Sequence, residues 1–355
     1  MKTNKTNLKS RIFAVMVSVM LLATCFMSTT AFADTDDTND AAPTATFHKV
    51  LTVENGVKVP PATFSFKITQ GVADPTKAID AGIQAANVTV SDAIFNTTDT
   101  VADGKVTKPF TVDFSEVNWT APGVYHYVLT ETQGNQDGIK YDTKNYDLYV
   151  TVVYDKDGTN LKVDSYKMID PNGDDADKDD GNINNSYETA NLTLKKEVKG
   201  NQGDKNKEFT FTVNITDAVP GTVYAVDLTN ANSAGPAEIT VNTDGKATAT
   251  YNLSNNEFVV IKGLTEKTNY TITETDYSGE GYKTTYKVGA GEATGGNAYT
   301  ADDMGTVDTS VTFTNTKNGT VPTGILLETA PYMILGAVVL AGIVVLFVTR
   351  RRRSH

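Results

Sequence analysis

The stretch Asn145–Tyr154 reads NYDLYVTVVY, with an apolar or aromatic residue at every second position from Tyr146 to Tyr154. Alternate residues of a β-strand point to opposite faces of a sheet, so this pattern predicts a strand with one buried face. Similar short alternating runs, broken by turn residues, fill the middle of the chain, and no long run there has the 3.6-residue apolar period of a helix. The sequence therefore predicts an all-β protein whose strands pack as sandwiches.

Composition limits the classes of function. The 355 residues are 39% hydrophobic, enough for two domains of ordinary size. Eight of the 31 basic residues precede Leu21 or follow Thr349, which leaves 23 lysines against 42 acidic residues between Asp34 and Thr323. The resulting charge of about −19 argues against nucleic acid or an anionic membrane surface as a partner. Cys25 is the only cysteine and there are three histidines, so we expect no disulfide, metal or cofactor.

The N-terminus has the layout of an export signal. The basic segment Lys2–Arg11 precedes the apolar run Ile12–Met27, and Ala31–Ala33 supplies the small residues that signal peptidase recognises. We predict a signal peptide over residues 1–33. A lipoprotein signal at Cys25 is the alternative, disfavoured by the threonine before the cysteine.

The C-terminus has three consecutive features. Ala330–Thr349 contains no charge and is long enough to cross a bilayer, and Arg350–Arg353 follow as a cytoplasmic stop. A short motif stands upstream: Val321, Pro322, Thr323, Gly324. This order resembles the cell-wall sorting signal of Gram-positive surface proteins, although the common motif begins with leucine. The resemblance implies that a sortase cleaves after Thr323 and passes it to an amine, so we assign residues 320–355 to a sorting signal with a transmembrane helix.

The middle of the chain repeats one plan. Tyr127–Thr132 (YVLTET) matches Tyr270–Thr275 (YTITET), and Ile183–Ser186 (INNS) matches Phe313–Thr316 (FTNT). Each half also begins with a strand that contains a lysine. Two domains of ordinary size follow from this repeat. They are residues 34–188 and 189–319.

Three polar residue types fall on the predicted buried face in both halves. Lys49, for example, has the parity of its apolar neighbours Phe47 and Leu51, whereas Lys195 and Asn184 have outward parity. A buried ion pair or a side chain that reaches solvent at a strand end is the ordinary interpretation of one such residue. Neither interpretation explains an asparagine that recurs with the lysine and the acid. The six residues are Lys49, Glu131, Asn185, Lys196, Glu274 and Asn315.

A buried cluster of this kind can react with itself. Burial lowers the pKa of a lysine and raises that of a glutamate, so a neutral amine can lie beside a neutral acid. The amine can attack the asparagine carboxamide while the acid hydrogen-bonds the carbonyl oxygen and moves protons to the departing ammonia. The product is a lysine–asparagine isopeptide bond.

The layout resembles the backbone pilins of Gram-positive bacteria, which consist of immunoglobulin-like domains of the collagen-adhesin B type with self-forming isopeptide bonds. The resemblance rests on Asp113–Val117 followed by Pro122–Tyr125, on the strand that ends at Glu131, and on Leu192–Val198 and Phe313–Asn315. It implies two bonds, each assisted by one glutamate. They are Lys49–Asn185 with Glu131, and Lys196–Asn315 with Glu274.

A polymer also requires an acceptor amine for Thr323. The acidic segment Asp170–Asn182 contains one lysine, Lys178, at the position of the acceptor in the resembling pilins. The family's valine-proline context is absent, so Lys162 and Lys167 stay as alternatives. The aspartates of this segment do not match a calcium-binding loop, which needs glycine and glutamate at fixed positions.

These observations predict a structural shaft subunit of a covalently polymerised pilus, with no enzymatic activity beyond single-turnover chemistry on itself. We expect an extracellular, cell-wall-anchored protein whose precursor is transiently inserted in the membrane. The expected partners are sortase, further copies of the chain, minor pilins and peptidoglycan, and a host-surface ligand stays open. The alternative is a monomeric wall-anchored adhesin that binds a host ligand.

Overall fold

The computed structural model describes residues 43–170, 181–232 and 235–319, together with Val339. β-Strands dominate these residues, with two short 3₁₀ turns at Ala85–Asn87 and Ser278–Glu280. The predicted all-β class is therefore confirmed. None of the helices within these residues has the length and apolar character needed to cross a membrane. The predicted signal peptide and, except for Val339, the predicted membrane span lie outside the described residues.

The first sandwich contains twelve strands. In chain order they are β1 Thr44–Val53, β2 Ala62–Phe64, β3 Phe66–Gln70, β4 Ile79–Ala81, β5 Thr89–Val90, β6 Ala93–Phe95, β7 Lys105–Asp113, β8 Gly123–Glu131, β9 Ile139–Lys140, β10 Asn145–Tyr154, β11 Leu161–Ile169 and β12 Asn182–Tyr187. One sheet has the order β5-β7-β1-β12-β9, the other has the order β11-β10-β8-β3 with β4 also paired to β8, and β2 and β6 form a separate two-stranded sheet. Inward residues of both sheets, including Phe110 and Tyr127, form one hydrophobic core.

The second sandwich contains eleven strands. They are β13 Ala190–Lys199, β14 Phe209–Thr216, β15 Val223–Asp227, β16 Glu238–Thr240, β17 Ala247–Leu253, β18 Phe258–Leu264, β19 Asn269–Glu274, β20 Lys283–Val288, β21 Thr294–Gly295, β22 Ala298–Ala301 and β23 Thr309–Thr316. A seven-stranded sheet of order β16-β15-β18-β13-β23-β20-β21 faces a four-stranded sheet of order β17-β14-β19-β22. Phe211 and Phe313 belong to the separate core between them.

In both sandwiches the first and last strands are neighbours inside one sheet. β1 pairs in parallel with β12, and β13 pairs in parallel with β23. Leu51 lies opposite Asn185, and Val198 lies opposite Asn315. The lysine of each first strand stands two residues before the position opposite the asparagine, so both side chains project from the same face of the sheet with the same offset.

Candidate isopeptide sites

All six predicted site residues are buried. Their exposed fractions are 0% for Lys49, Lys196, Glu274 and Asn315, 3% for Asn185 and 5% for Glu131. The neighbours with outward parity behave differently, since Asn184 is exposed and Lys195 is half-buried and lies 3.7 Å from Glu197. The inward orientation inferred from strand parity is thus observed at every one of the six positions.

In the first sandwich the carboxylate of Glu131 contacts both reactive groups. The Nζ atom of Lys49 donates to Oε2 of Glu131 at 2.8 Å, and Nδ2 of Asn185 donates to Oε1 at 2.7 Å. Glu131 ends β8 in the opposite sheet, where it pairs with Phe66 of β3. The acid therefore reaches across the sandwich to a lysine and an asparagine that lie on adjacent strands.

The carbonyl oxygen of Asn185 has a different partner. It accepts a hydrogen bond of 2.8 Å from the backbone N–H of Asp142, which also lies 3.2 Å from Oε2 of Glu131. A backbone N–H can only donate, so it orients the carboxamide with its oxygen toward Asp142 and its nitrogen toward Glu131. The sequence-based mechanism places the acid on the carbonyl oxygen. In the structure the acid is on the amide nitrogen instead.

The second sandwich repeats the ion pair with fewer hydrogen bonds. Nζ of Lys196 donates to Oε1 of Glu274 at 2.7 Å, and Glu274 pairs with Phe211 as Glu131 pairs with Phe66. Within the described residues, neither polar atom of the Asn315 carboxamide has a hydrogen-bond partner, nor does Oε2 of Glu274. The reactive groups are together, but the carboxamide is not fixed by hydrogen bonds.

Aromatic rings lie close to both amines. The Nζ atom of Lys49 lies 5.0 Å from the centre of the Phe64 ring. The Nζ atom of Lys196 lies 4.1 Å from the centre of Phe209 and 5.8 Å from that of Phe211. Rings at this range attract a cation weakly and exclude water, which removes the solvation on which an ammonium group depends.

The buried environment brings both pairs toward their neutral forms. Burial lowers the pKa of Lys49 despite the opposing attraction of Glu131, and it lowers the pKa of Lys196 to about 8 despite Glu274. Burial also raises the pKa of both glutamates against the opposing effect of their lysines. The Thr284 and Asn315 side chains lie close enough to Glu274 to oppose part of its shift. A neutral amine beside a neutral acid is the reactive combination.

Asp142 is the residue that strand parity did not identify. It follows β9 in a turn, where the alternation of strand residues gives no information. Its carboxylate accepts hydrogen bonds of 2.7 Å from the backbone N–H of Lys144 and from the hydroxyl of Tyr146. An aspartate that accepts from the backbone N–H two residues later forms an Asx turn, and this aspartate is the one signal in the sequence that could have drawn attention to the segment.

Only two of the residues predicted to join subunits lie within the described residues. Lys178 and the motif residues Val321, Pro322, Thr323 and Gly324 lie outside the described residues. Lys162 and Lys167, the alternative acceptors, lie half-buried on β11 at the edge of its sheet. Among the described residues, no group of three or more His, Cys, Asp or Glu side chains is placed to hold a metal ion.

Known proteins resemble this chain along most of its length. The profile of the Spy0128-like isopeptide containing domain matches residues 45–188, and that of a domain of unknown function matches residues 190–317. A pilin from Streptococcus pyogenes serotype M1 is 30% identical over 327 residues, which cover 90% of this chain and 93% of that pilin. The pilus tip adhesin Cpa of Streptococcus pyogenes is 35% identical over 140 residues, but these cover 39% of this chain and only 18% of the adhesin.

Solved structures share the fold. The crystal structure of the major pilin from Streptococcus pyogenes aligns with a TM-score of 0.58 and 24% identity, covering 79% of this chain and 100% of that one. The T3.2 major pilin of the same species aligns with a TM-score of 0.53 and 25% identity, covering 78% of this chain and 100% of that one. The 30% identity extends over 93% of a known pilin, and the fold is shared. These findings confirm the resemblance inferred from the sequence: the chain belongs to the family of streptococcal major pilins.

Proposed function

We propose that this chain is the structural shaft subunit of a sortase-assembled pilus and that a lysine–asparagine isopeptide bond locks each of its two sandwiches. One observation carries the proposal. The same buried lysine, glutamate and asparagine recur in both sandwiches, with the same strand offset between amine and carboxamide. A buried ion pair needs only the lysine and the acid, whereas bond formation also needs the carboxamide.

The reaction is balanced within each cluster. The lysine Nζ attacks Cγ of the asparagine, the Nζ–Cγ bond forms, and the Cγ–Nδ2 bond breaks. The glutamate takes a proton from Nζ and supplies one to Nδ2, so ammonia leaves and the acid is regenerated. Two polar groups that are costly to bury become one neutral amide. Each cluster reacts once, so the chain is not an enzyme in the ordinary sense.

The bonds would link the first strand of each sandwich to the last. A pull on the chain ends enters β1 or β13 and leaves through β12 or β23, so tension would pass through the covalent link and bypass the rest of the sandwich. Each bond also closes a loop of roughly 120 to 140 residues, which is worth about 4 to 5 kcal/mol by the loop-entropy argument developed for disulfides. Resistance to extension and to unfolding suits a thin fibre outside the cell.

Assembly requires the two ends of the chain. We infer export by the segment 1–33, sortase cleavage after Thr323, and transfer of Thr323 to Lys178 of the next subunit, with Lys162 and Lys167 as the alternatives. The terminal subunit would be transferred to peptidoglycan, and minor pilins would share the same fibre. The likeness of one segment to a pilus tip adhesin supports such a mixed assembly.

Two measurements test this function. The intact mass of the mature chain is expected to be two ammonia molecules below the value calculated from its sequence. Cell-wall extracts on a denaturing gel are expected to give a ladder of covalent multimers that Lys178→Ala abolishes, while the matched variants Lys162→Ala and Lys167→Ala retain it. A single band from cells that produce the unmodified chain would contradict the shaft function and favour the monomeric adhesin.

A further inference from the structure

The carbonyl oxygen of Asn185 has a buried hydrogen-bond donor in place before any reaction. The backbone N–H of Asp142 points at this oxygen from 2.8 Å. When an amine attacks the carboxamide, the carbon becomes tetrahedral and negative charge develops on this oxygen. A fixed donor at this distance stabilises that charge without having to reorganise. We propose that the backbone N–H of Asp142 is the oxyanion donor of the first site, an inference that rests on the proposed isopeptide reaction.

The carboxyl group of Glu131 contacts the two nitrogen atoms of the reaction and not the carbonyl oxygen of Asn185. Its Oε2 atom faces Nζ of Lys49 and its Oε1 atom faces Nδ2 of Asn185, which are the atoms that lose and gain a proton. During the step the Nζ–Cγ bond forms and the charge on Oδ1 appears, and during the next step the Cγ–Nδ2 bond breaks and ammonia leaves. The acid moves the protons, and the Asp142 N–H holds the charge between the two steps.

The turn that carries this N–H is fixed by its own hydrogen bonds. The Asp142 carboxylate accepts from the Lys144 backbone and from the Tyr146 hydroxyl, each at 2.7 Å, and the side-chain amide of Gln133 donates to the Asp142 carbonyl. These contacts hold Asp142 by its side chain and by its carbonyl group. Tyr146 is therefore a positioning residue that acts through Asp142, and the donor is oriented before the lysine attacks.

The second sandwich has no counterpart to this donor among its described residues. Counted from the asparagine strand, the position that corresponds to Asp142 is Thr285, which stays in β20 and pairs with Thr314. Both polar atoms of the Asn315 carboxamide lack a partner. The proposal therefore predicts that the first bond forms faster than the second, and that only the first depends on residue 142.

Proline at position 142 removes the N–H, whereas asparagine keeps it and keeps one side-chain oxygen that can accept from the backbone of Lys144. The experiment uses the full mature chain with Lys196→Ala, so that only the first site can react. The chain is made by cell-free synthesis, samples are quenched in acidic denaturant, and the intact mass reports the fraction that has lost ammonia. We expect D142P to react about 100-fold more slowly than D142N. With Lys49→Ala in place of Lys196→Ala, D142P should not change the rate of the second bond.

Equal rates for D142P and D142N would overturn the proposal. If the chain with Asp142 intact never loses ammonia, the isopeptide function fails instead, so the two failures are distinguishable. Melting of both variants in the Lys49→Ala, Lys196→Ala background, where no bond can form, shows whether proline disturbs folding. If proline does disturb folding, Tyr146→Phe supplies the test instead. This variant keeps the Asp142 N–H and removes one hydrogen bond to the Asp142 carboxylate. The first bond should then form several-fold more slowly, and the rate of the second bond should not change. A first bond at the parental rate would overturn the proposal.

Discussion

The two candidate sites contain the same three residue types, a lysine, a glutamate and an asparagine, in different surroundings. In the first, both polar atoms of the Asn185 carboxamide have a partner, because Glu131 accepts from the nitrogen and the Asp142 N–H donates to the oxygen. In the second, Lys196 and Glu274 are paired, and the buried Asn315 carboxamide lies near Glu274 but forms no hydrogen bond of normal geometry within the described residues. Buried polar atoms without partners cost free energy, so the second site gains more when its carboxamide reacts.

The cause of this difference is the length of one strand. β9 pairs with β12 only through Ile139 and Lys140, and beyond this pairing the backbone N–H of Asp142 donates to the Asn185 carboxamide. β20 continues for six residues and keeps Thr284 and Thr285 in the ladder with β23. Strand register therefore decides which reactive groups meet, whereas the segment beside the asparagine strand decides how the carbonyl is supported.

The largest expected effect comes from the two acids. Glutamine keeps the shape of glutamate but cannot exchange a proton at neutral pH, so Glu131→Gln and Glu274→Gln should each slow their own bond by roughly 10²- to 10⁴-fold. Intact mass is expected to rise by one ammonia in each variant, and peptide mapping should place the unreacted lysine in the sandwich that carries the substitution.

Glu257 supplies the matched control for the two acids. It is also buried, but its carboxylate accepts hydrogen bonds from Asn232 and Ser254 and not from a lysine amine. Glu257→Gln should therefore leave both bonds intact. Loss of a bond in this variant, or full bond formation in Glu131→Gln, would show that the paired acids do not move the protons.

A second prediction concerns the stability that each bond supplies. Asn185→Ala and Asn315→Ala prevent their bonds and should each lower the free energy of unfolding of that sandwich by about 4 to 5 kcal/mol. Asn185→Ala should cost about 1 kcal/mol more, because the Asp142 N–H loses its shorter hydrogen bond and the second site has no such bond to lose. Denaturant unfolding of the mature chain measures both values. Equal losses would show that the Asp142 contact contributes nothing to the folded state.

Sequence patterns were sufficient for the fold class and for the burial of the six candidate residues. Strand parity depends on the fixed two-residue period of a strand, and a one-residue error reverses the face of every side chain. That is why parity separated Lys196 from Lys195 and Asn185 from Asn184. The resemblance to backbone pilins implied the pairing of each lysine with an asparagine, and the internal repeat showed that the same three residue types recur in the same order in both halves.

The same patterns could not identify the orientation of each carboxamide. In the first site this orientation depends on the backbone N–H of Asp142, which lies two residues beyond the two-residue strand β9. Short strands followed by turns have no periodicity, and a backbone N–H is present at every position except proline, so it leaves no signal in the sequence. Only the three-dimensional structure shows that Glu131 contacts the amide nitrogen of Asn185 and that the Asp142 N–H donates to its carbonyl oxygen.

The smallest expected effect uses the unreacted lysines. In Asn315→Ala the Lys196 amine stays free, and burial holds its pKa at about 8 in the folded state, against an ordinary value near 10.5 in the unfolded chain. Below about pH 8 the amine is protonated in both states, so the folded state bears the full cost of the buried charge. Between these two values the unfolded chain binds more protons, and stability must rise with pH.

We expect a gain of about 1 to 2 kcal/mol in the second sandwich between pH 8 and 9.5, below the ordinary titration range of tyrosine. The double variant Asn315→Ala, Lys196→Met lacks the amine and supplies the matched control, because all other titrating groups are kept. Parallel pH profiles for the two variants would show that Lys196 keeps its proton when buried, and the neutral amine that the reaction requires would then have to arise from transient proton transfer to Glu274. In Asn185→Ala the stability of the first sandwich should also rise with pH, since burial also lowers the pKa of Lys49.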